Sequence, residues 1–78
     1  GIRANSISPG LILTPIAEAG FAAAPDPAAE RRRQAELLPC KRIGEPEEIA
    51  KALLFLASSD SSFSTGIDIV ADGGLTQF

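Results

Sequence analysis

The chain has 78 residues, a net charge of −3, 45% apolar and 22% charged residues, no His, Tyr, Trp or Met, and one Cys. This is one small domain at most, with a marginal core, and its charge gives no electrostatic reason to bind nucleic acid or an anionic membrane. No apolar run reaches the roughly 20 residues of a membrane span, and a zinc site or a Ser-His-Asp or Cys-His nucleophile lacks its residues.

Residues 2–8, IRANSIS, predict a short strand, with Ile2, Ala4 and Ser6 on one face and Arg3, Asn5 and Ile7 on the other. Pro9 ends it, because proline cannot donate to a central ladder. Pro9-Gly10 then opens an apolar loop, Leu11-Ile12-Leu13, which Thr14-Pro15 closes. Loops are usually polar, so these apolar residues ask for something flat to cover. Residues 16–24 are apolar and alanine-rich and predict a short helix, broken by Pro25-Asp26-Pro27. Asp26 is a good N-cap and Pro27 a good first residue for a second helix, which runs to Leu38. Residues 16–38 together predict a helical insertion placed as a lid. Ile16, Phe21 and Ala22 point to an apolar pocket beneath it.

Pro46 to Ser59 predicts the clearest helix. Pro46 starts it, and Glu47 and Glu48 lie in the first turn, where the helix dipole favours negative charge. Ile49, Leu53, Leu56 and Ala57 form an apolar stripe, yet Ala50, Ala52, Leu54 and Phe55 are apolar too. Such a helix is covered on more than one side: by a sheet, and by a second helix or another chain. Residues 58–66 predict a loop rich in capping residues, Ile67–Ala71 a β-branched strand, and Asp72-Gly73-Gly74 a turn at its end. Strand, lid helices, long helix and strand make one βαβ crossover, which implies parallel strands. Two parallel strands do not form a stable sheet alone. The segment is therefore expected to be incomplete as a domain and reads as a piece of something longer.

GIRANSISPGLILTP, followed by RIGEPEEIAKALLFLASSDSSFSTGIDIVADGG, resembles the C-terminal third of a short-chain dehydrogenase/reductase. The likeness spans residues 1–78, with 16–38 as its variable lid. It implies the fold class α/β: the last βαβ unit of a doubly wound, parallel, Rossmann-like sheet, as the C-terminal part of a single oxidoreductase domain. Ligands of such sheets lie outside the carboxyl ends of the strands, and Pro9-Gly10 occupies such an end. The resemblance implies that this Pro-Gly loop lies beside the nicotinamide of NAD or NADP. The backbone of Ile12 would bond the carboxamide, and the Thr14 hydroxyl the carboxamide or a phosphate oxygen. Gly10 would let the backbone approach the ring.

The implied activity is hydride transfer between the cofactor and a carbonyl or secondary alcohol. This segment would supply a wall of the nicotinamide pocket, the substrate lid and an assembly surface. A homo-oligomer through Ile49–Ala57 and Ile67–Ala71 is implied, and a cytoplasmic setting fits a single free cysteine. The family's Tyr-x-x-x-Lys motif has no counterpart here, so no catalytic residue is assigned and turnover by this chain alone is not expected. The alternative is a non-catalytic module that pairs through its apolar helix. Arg31-Arg32-Arg33 point about 100° apart around a helix and read as a solvated surface. Cys40 reads as a packing residue, Glu47-Glu48 as helix-start charge, and Asp72-Gly73-Gly74 as a turn, not an anion nest.

Overall fold

Strands β1 (Ser6–Pro9) and β2 (Asp68–Ala71) pair in parallel, with Ser6 opposite Asp68 and Pro9 opposite Ala71, in a computed structural model that describes residues 1–77. Between them lie the helices α1 (Pro15–Ala22), α2 (Pro27–Glu36) and α3 (Pro46–Ala57). A short 3-10 turn, Ser59–Ser61, follows α3, and another, Leu75–Gln77, follows β2. This is the βαβ crossover with a helical insertion.

The first strand begins later than its sequence pattern predicts. Arg3 and Asn5 spend their side chains on the loop after α3 instead of flanking a ladder. The Arg3 guanidinium donates to the carbonyls of Leu56, Ser58 and Ser64 and to the Ser61 hydroxyl, at 3.0–3.2 Å. Two of those carbonyls belong to the C-terminal end of α3, where backbone acceptors lack helical partners. Asn5 donates to the Ser64 carbonyl and accepts from the Ile67 N–H. The first ladder bond is therefore Ser6 N–H to the Ile67 carbonyl, 3.0 Å. Pro9 belongs to the strand as its last residue, at a position whose N–H would face away from β2, and Gly10 N–H donates to the Ala71 carbonyl.

The helices start where the sequence says and stop slightly sooner. Thr14, Asp26 and Glu45 are the N-caps of α1, α2 and α3, and proline opens each helix. Asp26 accepts from the Ala29 N–H at 3.2 Å. Glu48, in the first turn of α3, accepts from the Glu45 N–H at 3.3 Å. It also takes both arms of the Arg42 guanidinium, at 2.6 and 2.9 Å. The loop expected over 58–66 holds the 3-10 turn, because the Ser58 hydroxyl caps it by accepting from the Asp60 N–H.

Period-2 alternation splits the sheet. Ile7 and Ile69 are half-buried, and Ile7 shares a hollow with Leu53 and Leu56 of α3. On the other face Ser6, Ser8, Asp68 and Val70 are exposed, and both serine hydroxyls donate to the Asp68 carboxylate, at 2.7 and 2.8 Å. Among the described residues α3 is covered by the sheet side alone. Leu53 and Leu54 are 54% and 69% exposed.

Only Phe21 and Leu38 are buried apolar residues among those described. The surface area is 5505 Å², where a folded monomer of this mass exposes about 4,500 Å². The radius of gyration is 15.1 Å and the extents are 52 × 26 × 14 Å, where a compact domain of this length has about 11.5 Å. The segment is an open plate with its apolar surface uncovered, an incomplete α/β unit as expected. No helix among the described residues is long and apolar enough to cross a membrane.

Candidate functional site

Parallel pairing brings the ends of both strands to one edge of the plate. Gly10 leaves β1 and Asp72 leaves β2 side by side there. A Cβ on Gly10 would fall 2.5 Å from the Asp72 Cβ. Glycine is needed here because two backbones cross, a reason independent of any ligand. Asp72 is 7% exposed, and its carboxylate is filled from within the chain. It accepts from the Gly74 N–H, the Thr76 N–H and the Thr76 hydroxyl, at 2.9, 3.1 and 2.7 Å. The Thr76 hydroxyl, foremost, holds its pKa below the ordinary aspartate value. The Asp-Gly-Gly segment is thus a turn closed by its own anion, as the sequence reading expected.

Past Gly10 the chain runs extended beside Gly44. Gly44 N–H donates to the Leu11 carbonyl at 3.0 Å, and Leu13 N–H donates to the Gly44 carbonyl at 2.8 Å. In a parallel bridge the bonded groups belong to the residues on either side of the paired one. The N–H and C=O of Ile12 itself therefore face the opposite way. The Ile12 carbonyl accepts from the Thr14 N–H at 2.8 Å, whereas the Ile12 N–H has no protein acceptor among the described residues. Gly44 is close for a steric reason: a Cβ there would meet Ile12 Cδ1 at 2.8 Å.

Thr14 holds the loop to α1. Its Oγ1 accepts from the Ala17 N–H at 3.3 Å, and its carbonyl accepts from the Glu18 N–H. The hydroxyl proton stays available, since a capping hydroxyl accepts through a lone pair and still donates. The four residues singled out from sequence, Pro9, Gly10, Ile12 and Thr14, thus lie along one continuous edge at the carboxyl end of β1. No residue from Pro9 to Ile16 ionises. The edge can bind, orient and exclude water; it cannot move a proton.

Leu11 borders two of the cavities along this edge. One, of about 200 Å³, also touches Ile12, Cys40, Arg42 and Asp72. The other, of about 260 Å³, lies toward the lid and is lined by Leu11, Ala17, Gly20, Phe21, Glu30 and Gln34. The lid side is less apolar than Ile16, Phe21 and Ala22 predict. Ile16 is 87% exposed, and Ala22, also exposed, borders with Phe21 a separate open hollow toward Pro27, Ala28 and Arg31 of α2. Glu30 and Gln34 bring polar groups instead. Cys40 is exposed, with its Sγ 3.4 Å from the Arg42 carbonyl and its N–H bonded to the Gly73 carbonyl. The three arginines are exposed, as expected; Arg33 pairs with Glu30, and Arg31 lies 5.6 Å from the Phe21 ring centre.

Residues 1–76 match the family model for enoyl-(acyl carrier protein) reductase, a short-chain dehydrogenase model. The chain belongs to the short-chain dehydrogenase/reductase family. An uncharacterised oxidoreductase of Bacillus subtilis is 46% identical over 80 residues, covering 100% of this chain and 29% of its own length. A C-terminal deletion mutant of aldohexose dehydrogenase from Thermoplasma acidophilum superposes with a TM-score of 0.91 at 32% identity, over 97% of this chain and 35% of that one. A putative 2-deoxy-D-gluconate 3-dehydrogenase from Agrobacterium tumefaciens, solved with bound NADP, gives 0.82 at 36% identity, over 100% and 30%. The chain spans about a third of the length of these short-chain dehydrogenase relatives. The parallel β-α-β unit superposes on one part of those Rossmann-like folds.

Gly44 received no role from the sequence reading, although it fixes the direction of Ile12. The available signal was the Gly44-Glu45-Pro46 helix start, which says where α3 begins but not what lies across from it.

Proposed function

We propose that this segment forms the nicotinamide-facing edge of an NAD(P)-dependent oxidoreductase acting on a carbonyl or secondary alcohol. The observation that carries this reading is the outward Ile12 N–H, unpartnered among the described residues, two residues before the Thr14 hydroxyl in the same loop. A planar primary amide suits that pair: its carbonyl accepts from the Ile12 N–H and its oxygen or a neighbouring phosphate accepts from Thr14 Oγ1. The side chains of Leu11 and Ile12 exclude water beside it. When bound, the nicotinamide supplies hydride acceptance from an alcohol carbon or hydride delivery to a carbonyl. The proton of that step belongs to groups outside this loop, which has none that ionise. The choice between NAD and NADP rests on residues beyond this edge.

The aldohexose and 2-deoxygluconate dehydrogenases among the relatives support a hydroxylated substrate class. The exposed side of α3, with Leu53 and Leu54, and the outer edge of β2 support a homo-oligomer in which a second copy covers them. The free thiol of Cys40 fits a reducing cytoplasm. The test is titration of NADH and NADPH into the full-length protein that carries this segment. Saturable binding by at least one of them is expected; binding by neither contradicts the proposal.

A further inference from the structure

The turn that carries Gly44 is closed by a pair of side chains. Arg42 stands just before Gly44 in sequence, and Glu48 lies beyond it in the first turn of α3. The Arg42 guanidinium donates to both carboxylate oxygens of Glu48, at 2.6 Å to Oε1 and 2.9 Å to Oε2. Oε1 also accepts from the Glu45 N–H, at 3.3 Å. One carboxylate thus ties the chain on both sides of Gly44 to the start of α3. A two-pronged pair fixes orientation as well as distance, so Gly44 rides at the apex of a braced turn.

The apex holds the cofactor-facing edge. Gly44 N–H donates to the Leu11 carbonyl, and the Gly44 carbonyl accepts from the Leu13 N–H. Both backbone groups of Gly44 therefore clasp the residues on either side of Ile12. Movement of the apex toward Ile12 is blocked, since a Cβ on Gly44 would already stand 2.8 Å from Ile12 Cδ1. Movement away stretches the two bonds and releases the direction of the Ile12 N–H. The same stretch is pinned further back, where the Cys40 N–H donates to the Gly73 carbonyl. Arg42 and Glu48 act from the Gly44 side of the loop, where they border the cavity of about 200 Å³ together with Ile12.

We infer that Arg42 and Glu48 are positioning residues for the nicotinamide: through Gly44 they hold the Ile12 N–H in the direction its amide partner needs. This rests on the dehydrogenase reading above. Neither residue needs to touch the cofactor. Loosening the brace weakens the grip on the nicotinamide and leaves the rest of the dinucleotide bound.

The test compares two affinities in the full-length protein. One is for the reduced cofactor, NADH or NADPH. The other is for the matching ADP-ribose fragment, which carries the same phosphates and no nicotinamide. Arg42→Met is expected to lower the cofactor-to-fragment affinity ratio about fivefold. Arg42→Lys keeps the charge but loses the fork, and should lower the ratio as well. The exchanged pair, Arg42→Glu with Glu48→Arg, should restore part of it. Salt acts alike on the phosphates of both ligands but screens the ion pair, so rising salt should lower the ratio in wild type and leave it unchanged in Arg42→Met. A ratio unaltered in Arg42→Met, or both affinities falling in step, overturns the positioning role alone. A wild-type protein that binds neither NADH nor NADPH overturns the dehydrogenase reading, and this inference with it.

Discussion

Gly10 and Asp72 interlock: a Cβ on Gly10 would fall 2.5 Å from the Asp72 Cβ and 2.7 Å from its Cα. The nearest atoms include backbone, so rotation of a side chain gives no relief. Gly10→Ala should cost about 1–3 kcal/mol by overpacking, before any effect on a ligand. Thermal unfolding of the full-length protein checks this. An unchanged midpoint would show that the two strand ends do not cross as described.

Thr14 has two separable tasks. Its oxygen caps α1, and its hydroxyl proton is free for a ligand. Thr14→Ala should lose both, with about 1 kcal/mol of stability gone from the cap. Thr14→Asn keeps a capping acceptor, so stability should be retained while cofactor affinity drops. Equal cofactor affinity in wild type and both variants would remove Thr14 from the site.

Acid should destabilise this segment through carboxylates that are easier to ionise in the fold. Glu30 and Glu48 are held down to about 2 from 4.5, by Arg33 and Arg42 respectively. Asp72 is also lowered. A depressed folded pKa gives stability that is complete above the unfolded value and is lost as pH falls through the folded one. The loss should therefore run from about pH 4.5 down to about 2. The Arg42–Glu48 pair is exposed, so salt should shrink its share. Arg42→Met should make the acid slope shallower at low salt. A slope indifferent to both salt and Arg42 would show that the pair contributes nothing.

Leu54 is 69% exposed on α3, where the sequence pattern asks for cover. A second copy laid on that face would bury an introduced Asp without a partner. Leu54→Asp should reduce the assembled mass seen by light scattering, or cause aggregation. A soluble variant of unchanged mass would place the interface elsewhere.

The sequence was most readable where one residue acts through its neighbours. Asp26-Pro27 and Pro46 marked helix starts because capping and fixed φ are local effects. The β-branched run before Asp72 marked β2 for the same reason. It was least readable where a residue acts across the fold. Arg3 lies in a strand-like pattern, yet its guanidinium closes the end of α3, more than fifty residues away in sequence. Gly44 turns the free edge of Ile12 outward, and no local pattern says that these two loop segments meet. The four residues proposed for the site, Pro9, Gly10, Ile12 and Thr14, were singled out through a family resemblance. Composition and spacing alone would have left an apolar turn. That Glu30 and Gln34 line the lid-side cavity was not legible either, because they resemble an ordinary solvated helix face until α1 is packed against them.

The central claim is that the Ile12 N–H is kept free for a bound amide. Amide hydrogen exchange of the full-length protein, resolved by residue, tests it with and without saturating NADH or NADPH. Leu13 N–H, bonded to the Gly44 carbonyl, should be protected in both states and serves as the internal reference. Ile12 N–H should exchange readily without cofactor and slow markedly with it, because a new acceptor closes its open edge. Saturable cofactor binding that leaves Ile12 exchange unchanged would contradict the account.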